Sequence, residues 1–395
     1  MQAKYVNNET YFCDKIDKQM TIYLDCNATT PIDPRIAREV FHFMTEEYGN
    51  ASSRTHEFGL RAKQAVQKAR SQISQILNAE PEEVIFTSGA TESNNLTILG
   101  IAEYGEREAK KHIISSQIEH KSVLEPLHAL SKKGFKITLL PPTQGGWVEP
   151  ESVTKALQDD TLLVSVMHVN NETGVIQPIN EIAEVLTYHS AFFHVDAAQG
   201  FGKEITPLQN QRIDCISISG HKLYGPKGIG ALIAKRRGYN RLPLSPLMYG
   251  GGQERGLRPG TLPVPLIVGL GMAAELGLKE SEERYKTCYA YRKEVLEALE
   301  PLNPTYSGDQ NRTLPHVINV AFKGLDSEAI MVALKNIVAI SNGSACTSQS
   351  YEPSHVLRAM GLSDEIIKGA IRLSWCHMTE HPDWEKVVER IKSLY

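Results

Sequence analysis

The sequence predicts an α/β chain in two parts: a large one built on a mainly parallel seven-stranded sheet, and a smaller α+β one. Between residues 33 and 272, seven short apolar runs alternate with helix-length segments. After Ala273 the texture changes to long charged helices with one alternating run, HVINVAF, among them. At 395 residues the chain also exceeds what a single hydrophobic core usually organises.

The seven runs, in chain order, are VIFTSG, KHIISS, KITLLP, LLVSVMHV, FFHVDAAQ, CISISG and GIGALIA. Short apolar runs of this kind, separated by helix-length segments, mark strands of a parallel sheet covered by helices on both faces. Polar or glycine-rich residues follow nearly every run, and in such sheets the ligand crevice lies beyond the carboxyl ends of the strands. Chemistry is therefore expected just after each run. The small part is expected to comprise residues 1–32 and 273–395. It holds one helix over ELGLKESEERYKTCYAYRKEVLEALE, a last helix from Pro382 to Leu394, and the extended start TIYLDCNATTP, which joins it or bridges to it.

With 42 basic against 46 acidic side chains the formal charge is only -4 and no long block of one sign occurs, which argues against a nucleic-acid surface. No run approaches the roughly 20 apolar residues of a membrane span. The polar start MQAKYVNNETYFCDKIDK is no signal-peptide core, so a cytoplasmic protein without membrane contact is expected. The cysteines at 13, 26, 215, 288, 346 and 376 form no C-x-x-C pair and no metal-ligand spacing, so neither a disulfide framework nor a metal is expected.

The strongest local signal is SISGHKLYGPKGIG, residues 217–230, where an apolar run ends in Ser219, His221 and Lys222 among glycines. Burial and neighbouring charge can hold a lysine near neutral there, the state in which an amine bonds an aldehyde cofactor. Read alone, Lys222 is equally a loop lysine. In HVDAAQ, residues 194–199, Asp196 ends a strand where a carboxylate beside a pyridine nitrogen would keep it protonated and let the ring accept carbanion electrons. Its alternative is a helix N-cap. Gln199 offers an amide to the cofactor's phenolic oxygen, or is a solvated glutamine.

TSGATESNN, residues 87–95, sets Gly89, Ala90 and Thr91 at the opening of a helix, where backbone amides and the helix dipole suit a phosphate. Ser219, His221 and Thr261 could add donors, although ordinary strand-to-helix turns use the same residue types as this Gly-Ala-Thr turn. His120, in QIEHKSV at another strand end, suits a ring lying flat on a cofactor and shuttling protons, or is a satisfied core or surface histidine. Asn171, in MHVNNETG, offers an amide to a substrate carboxylate or the ring oxygen, or simply makes a turn. Arg372, in AIRLSW, presents a planar fork for an amino-acid carboxylate, or a structural ion pair.

ISNGSACTSQSYEP, residues 340–353, is polar and rich in glycine and serine around one cysteine, the composition of a mobile loop whose thiol is exposed and able to swing. An exposed thiol without function is an oxidation liability, which weighs against a merely structural Cys346. Cys26 and Cys215 lie in apolar strand-like stretches and read as buried packing. Cys376 reads as a packed thiol or, alternatively, a secondary sulfur relay.

Together these residues resemble the fold-type I pyridoxal-phosphate (PLP) enzymes, and closely the NifS/IscS group of cysteine desulfurases in the class-V aminotransferase family. The match runs from LDCNATTP near Asp25 to about Ser374. It is carried by TSGATESNN, EHK, HVNNETG, HVDAAQ, SGHKLYGPKGIG, GGGQERGLRPGT and NGSACTSQS in that order. The resemblance implies a homodimer in which Lys222 carries PLP, His120 stacks on it, Asp196 pairs with its ring nitrogen and Gln199 meets its phenolic oxygen. Ala90, Thr91, Ser219 and His221 hold the phosphate, with Thr261 donated by the partner subunit, and Asn27, Asn171 and Arg372 bind substrate. It further implies removal of sulfur from L-cysteine, giving L-alanine and a persulfide on Cys346. An acceptor protein of iron-sulfur cluster assembly, tRNA thiolation or DNA phosphorothioation then takes that sulfur.

Three features depart from the group. About twenty residues precede the first motif, the sequence ends at Tyr395 without the extension that housekeeping members use to dock a scaffold, and SWCHMTEH comes after Arg372 where relatives carry a glycine-arginine-phenylalanine run. With LDCNATTP, SWCHMTEH looks more like the desulfurases dedicated to DNA phosphorothioate modification, which implies delivery to protein partners without direct contact with DNA. Two rivals stay open: another PLP reaction on the same scaffold, such as selenocysteine lyase, kynureninase-like cleavage or an aminotransferase, and a catalytically idle scaffold.

Overall fold

The computed structural model describes residues 21–342 and 353–395. The chain opens on β1 (Ile22–Tyr23), and seven further strands make the central sheet: β2 (Val84–Thr87), β3 (His112–Ser116), β4 (Lys136–Leu140), β5 (Thr161–Met167), β6 (Phe192–Asp196), β7 (Cys215–Ser219) and β8 (Gly230–Ala234). Each of the seven apolar runs supplies one strand, in the order β2-β8-β7-β6-β5-β3-β4. Pairing is parallel from β7 through β4, while β8 runs antiparallel to both β2 and β7.

The sheet is covered on both faces, which is why its inner strands are buried almost throughout and largely apolar. All seven residues of β5 are buried. Because successive side chains point to opposite faces, Val164 and Val166 enter the cluster that holds Ile36, Val66 and Ile73 from helices Pro34–Thr45 and Glu57–Ile76. Leu163 enters another cluster with Ile98, Val123 and Leu127 from helices Ala90–Gly100 and Lys121–Ser131.

A second core forms around β9 (Thr305–Tyr306), β10 (Val317–Ala321), β11 (Val338–Ala339) and β12 (Ala370–Ser374). Strands β12-β10-β9 make an antiparallel sheet, and β1 pairs in parallel with β11. Ile318, Val320, Ile371 and Leu373 pack there on Trp375, Val295 and Val387. The chain start bridges the two cores: Leu24 is buried in the second, while Thr30 N donates to His221 O at 2.9 Å beside the large sheet.

One element differs from expectation. The single helix read over residues 275–300 is two, Val264–Lys279 and Ser281–Leu299, broken at Glu280. Their apolar faces serve different cores. Leu270, Ala273 and Ala274 pack against the large sheet, whereas Tyr291, Val295 and Leu299 enter the second core, so one straight helix could not bury both sets. The first helix therefore runs through the expected division at 272/273 while packing on the large sheet. The last helix is Trp384–Lys392, inside its expected bounds. No helix among the described residues is long and apolar enough to cross a membrane.

His168, just past β5, is fully buried, and neither ring nitrogen has a partner among the described residues. Burial depresses its pKa to about 3. The unfolded chain binds this proton near pH 6.5 and the native one does not, so stability is lost as pH falls from 6.5 towards 3. Denaturant unfolding at pH 5 instead of 6.5 should lose about 1.6 kcal/mol on account of this residue. His168→Met should remove one proton from the pH slope; an unchanged slope would refute the assignment.

Candidate active site

Most of the expected site residues meet at the carboxyl edge of the sheet, around a cavity of about 500 Å³ lined by Asn27, Ala90, Thr91, His120, Asn171, Asp196, Gln199, Ser219, His221, Lys222 and Arg372. The topology explains the convergence. Strands β2, β3, β5, β6 and β7 all end at this edge, and β8, being antiparallel, begins there, so Lys227 and Gly228 also line the cavity. Thr261 is exposed and does not line the cavity of its own chain. Cys346 lies outside the described residues.

Asp196, at the end of β6, is buried and fixed at both oxygens. Asn94 Nδ2 donates to Oδ2 at 2.7 Å, and the Ala198 amide donates to Oδ1 at 2.9 Å. No helix starts after it, so the N-cap alternative falls away. Asn94 was missed in the sequence although it stands in TSGATESNN: it sits one turn inside helix Ala90–Gly100, and only the fold brings it beside β6.

His120 caps helix Lys121–Ser131, its Nδ1 accepting from the Ser122 amide at 3.1 Å and lying 2.8 Å from Ser122 Oγ. Accepting a main-chain hydrogen bond at Nδ1 puts the proton of the neutral ring on Nε2. Burial lowers the pKa of the ring, with Asp196 opposing that effect and Lys222 adding to it. Neutral His120 is thus poised to exchange a proton at Nε2.

Lys222 follows β7, and its Nζ donates to the main-chain oxygens of Asn27 and, at 2.9 Å, Ala28. The same Asn27 oxygen accepts from Gln199 Nε2 at 2.9 Å, leaving Gln199 Oε1 buried without a partner among the described residues. His221 Nδ1 lies 3.1 Å from Thr29 Oγ1, and burial lowers its pKa to about 4. One segment, residues 27–29, therefore anchors three of the candidate side chains.

The anion seat is built by close approach. A Cβ on Gly230 would fall 2.4 Å from Ile218 O and 2.6 Å from Gly89 Cα, so the turn before helix Ala90–Gly100 lies against bare backbone of β8. No side chain caps that helix at Gly89. Its first amides, with Ser219 and His221 beside them, offer donors to a phosphate.

Arg372 reaches the cavity by strand alternation. Ile371 and Leu373 face the second core, so the side chain between them points the other way. Its Nη1 donates to Asn171 O at 2.9 Å and its Nη2 to Asp25 Oδ1 at 2.6 Å, while its Nε is buried without a partner among the described residues. The ion pair foreseen as an alternative exists, and the unpartnered Nε leaves a donor for a ligand. Asp25, the acid of LDCNATTP, was not singled out in the sequence because the strand pairing that sets it against β12 is long-range.

A lysine amine, a fixed carboxylate, an uncapped helix start and several unpartnered buried donors and acceptors share one cavity, and that set fits an aldehyde-bearing pyridine phosphate. Fold and site together define a fold-type I PLP-dependent enzyme. The aminotransferase class-V model matches residues 22–387, and the chain belongs to that family. It is 45% identical over 377 residues to the cysteine desulfurase IscS of Vibrio cholerae serotype O1, covering 95% of this chain and 92% of that protein. The crystal structure of DndA from Streptomyces lividans is 50% identical, covers 88% of this chain and 98% of its own, and superposes with a TM-score of 0.79. A structure of SspA in complex with cysteine is 37% identical, covering 90% and 98% of the two chains with a TM-score of 0.79.

Proposed function

We propose that the chain removes sulfur from L-cysteine, releasing L-alanine and leaving a persulfide on Cys346. It is a PLP-dependent cysteine desulfurase. Lys222 would hold the cofactor through its aldehyde, Asp196 its ring nitrogen, Gln199 its phenolic oxygen, and Ala90, Thr91, Ser219 and His221 its phosphate. When bound, the cofactor supplies an electron sink for the carbon next to the substrate amine. Asn27, Asn171 and Arg372 orient the substrate carboxylate, and Lys222 Nζ with His120 Nε2 carries the protons. The thiolate of Cys346 takes the substrate sulfur.

The observation that carries this reading is the position of the two stems of segment 343–352. Before it, Ser341 pairs through its backbone with Arg372 and donates its hydroxyl to Asp25 Oδ1 at 3.0 Å. After it, Ser354 Oγ donates to Glu172 Oε2 at 2.5 Å, next to Asn171. Both stems flank the cavity, and Cys346 stands four residues past Asn342, a contour of at most about 14 Å. The decisive experiment incubates cofactor-loaded protein with L-cysteine and a reductant and measures alanine and sulfide. Equal yields of the two support the reading, and cysteine consumed without alanine would end it.

Arg372→Lys keeps the charge but loses the fork. The KM for cysteine should rise about tenfold to a hundredfold, the worth of one or two charge-assisted hydrogen bonds, with a smaller change in kcat. An unchanged KM would remove Arg372 from substrate binding.

In the assembly we read a homodimer with Thr261 reaching the partner's cavity, a reading supported by its exposure and by its not lining the cavity of its own chain. Residues 1–32 and the chain beyond the large sheet are read as the small domain that carries the Cys346 segment. For the acceptor, the SWCHMTEH stretch and the 50% identity to DndA support delivery to a protein of DNA phosphorothioation rather than to an iron-sulfur scaffold.

A further inference from the structure

Beside the LDCNATTP segment two thiols lie in one cluster. Cys26 N donates to Ser374 O at 3.0 Å, and the bridge between Asp25 and Ser374 draws the chain start against the residues just past β12. This brings Cys26 and Cys376 together in one small buried cluster with Tyr224. Both are reduced and buried, yet both line a second cavity of about 440 Å³, which also touches Tyr23, Pro31 and Glu380 and borders the cofactor cavity at Thr29 and Lys227.

The pair is asymmetric. The Cys26 hydrogen bond, outweighing burial, and the Thr379 hydroxyl, 3.4 Å from the sulfur, bring Cys376 down to about 6, with the buried ammonium of Lys203 adding to the effect. Cys26 is pushed the opposite way by the same hydrogen bond and by burial. One sulfur is pushed towards the thiolate and the other held protonated, the arrangement of an attacking and a resolving cysteine. Cys215, buried inside β7 and raised by desolvation, has no such setting.

We propose that Cys26 and Cys376 are a redox dithiol that a hydroperoxide converts into an intramolecular disulfide. The Cys376 sulfur attacks the outer peroxide oxygen, the O–O bond breaks, and the alcohol leaves with the proton given up by Cys376, so that the peroxide is reduced and Cys376 is oxidised to a sulfenic acid. Cys26 then displaces the sulfenic hydroxyl as water, and the S–S bond forms. Two thiols and one hydroperoxide give one disulfide, one alcohol and one water; hydrogen peroxide gives two waters. The site is independent of the desulfurase reading, since no residue of it takes part in that reaction.

The test uses the full chain, loaded with cofactor and carrying Cys346→Ala so that the loop thiol takes no part. After hydrogen peroxide treatment and alkylation under denaturing conditions, peptide mass spectrometry should recover Cys26 linked to Cys376, released by dithiothreitol. Cys376 should react at least tenfold faster than Cys215. Cys26→Ser should leave a sulfenic acid on Cys376 that dimedone traps, and Cys376→Ser should leave Cys26 a free thiol. Recovery of both cysteines unmodified while Cys215 oxidises, or a link from Cys376 to Cys288 instead, would overturn the proposal without any variant at the pair.

Discussion

Lys222→Ala is expected to lower alanine formation from L-cysteine by about 1,000-fold or more, the scale set by losing a positioned proton carrier together with the covalent tether. In the native chain borohydride should fix a pyridoxyl group on the peptide containing Lys222; in the variant that label should vanish. The effect is assigned to chemistry rather than folding because Lys222 is only half-buried and its Nζ donates to the carbonyl oxygens of Asn27 and Ala28 rather than packing in the core. An unchanged far-ultraviolet spectrum and melting temperature would accompany the loss. A variant that still turned over cysteine at near-native rate would remove the central element of the reading, whatever the other residues of the cavity did.

Cys346→Ala separates sulfur acceptance from everything before it. Cofactor absorbance between roughly 390 and 430 nm, expected of bound PLP, should be intact, and cysteine should still perturb it. Alanine release should fall at least about 1,000-fold, equivalent to about 4 kcal/mol of barrier. The two variants thus fail differently, one losing the cofactor's attachment and the other keeping it without product. Persistent turnover in Cys346→Ala would favour a lyase or transaminase reaction on the same scaffold.

Much of this site was legible because the sheet is parallel. Runs such as FFHVDAAQ carry both signals in a few residues: an apolar core segment and, at its carboxyl end, the polar group that faces the crevice. Asp196, Ser219, His221 and Lys222 could be found from that rule before any coordinates. Arg372 was legible in kind only. Its fork suggested a carboxylate, but strand alternation between Ile371 and Leu373 is what aims it at the cavity, and Asp25 is what fixes it there.

By itself the sequence determined the fold class, the seven strands and the residue types that chemistry at the sheet edge requires, because these depend on local periodicity and on the few residues at the carboxyl end of each run. Only the tertiary structure decided where the long charged segment breaks at Glu280, that Asn94 steadies Asp196, and that Cys26 and Cys376 share one cluster. Each of these is a contact between distant stretches of chain, or a choice between two cores, and pattern along one strand or helix carries no information about what lies across from it.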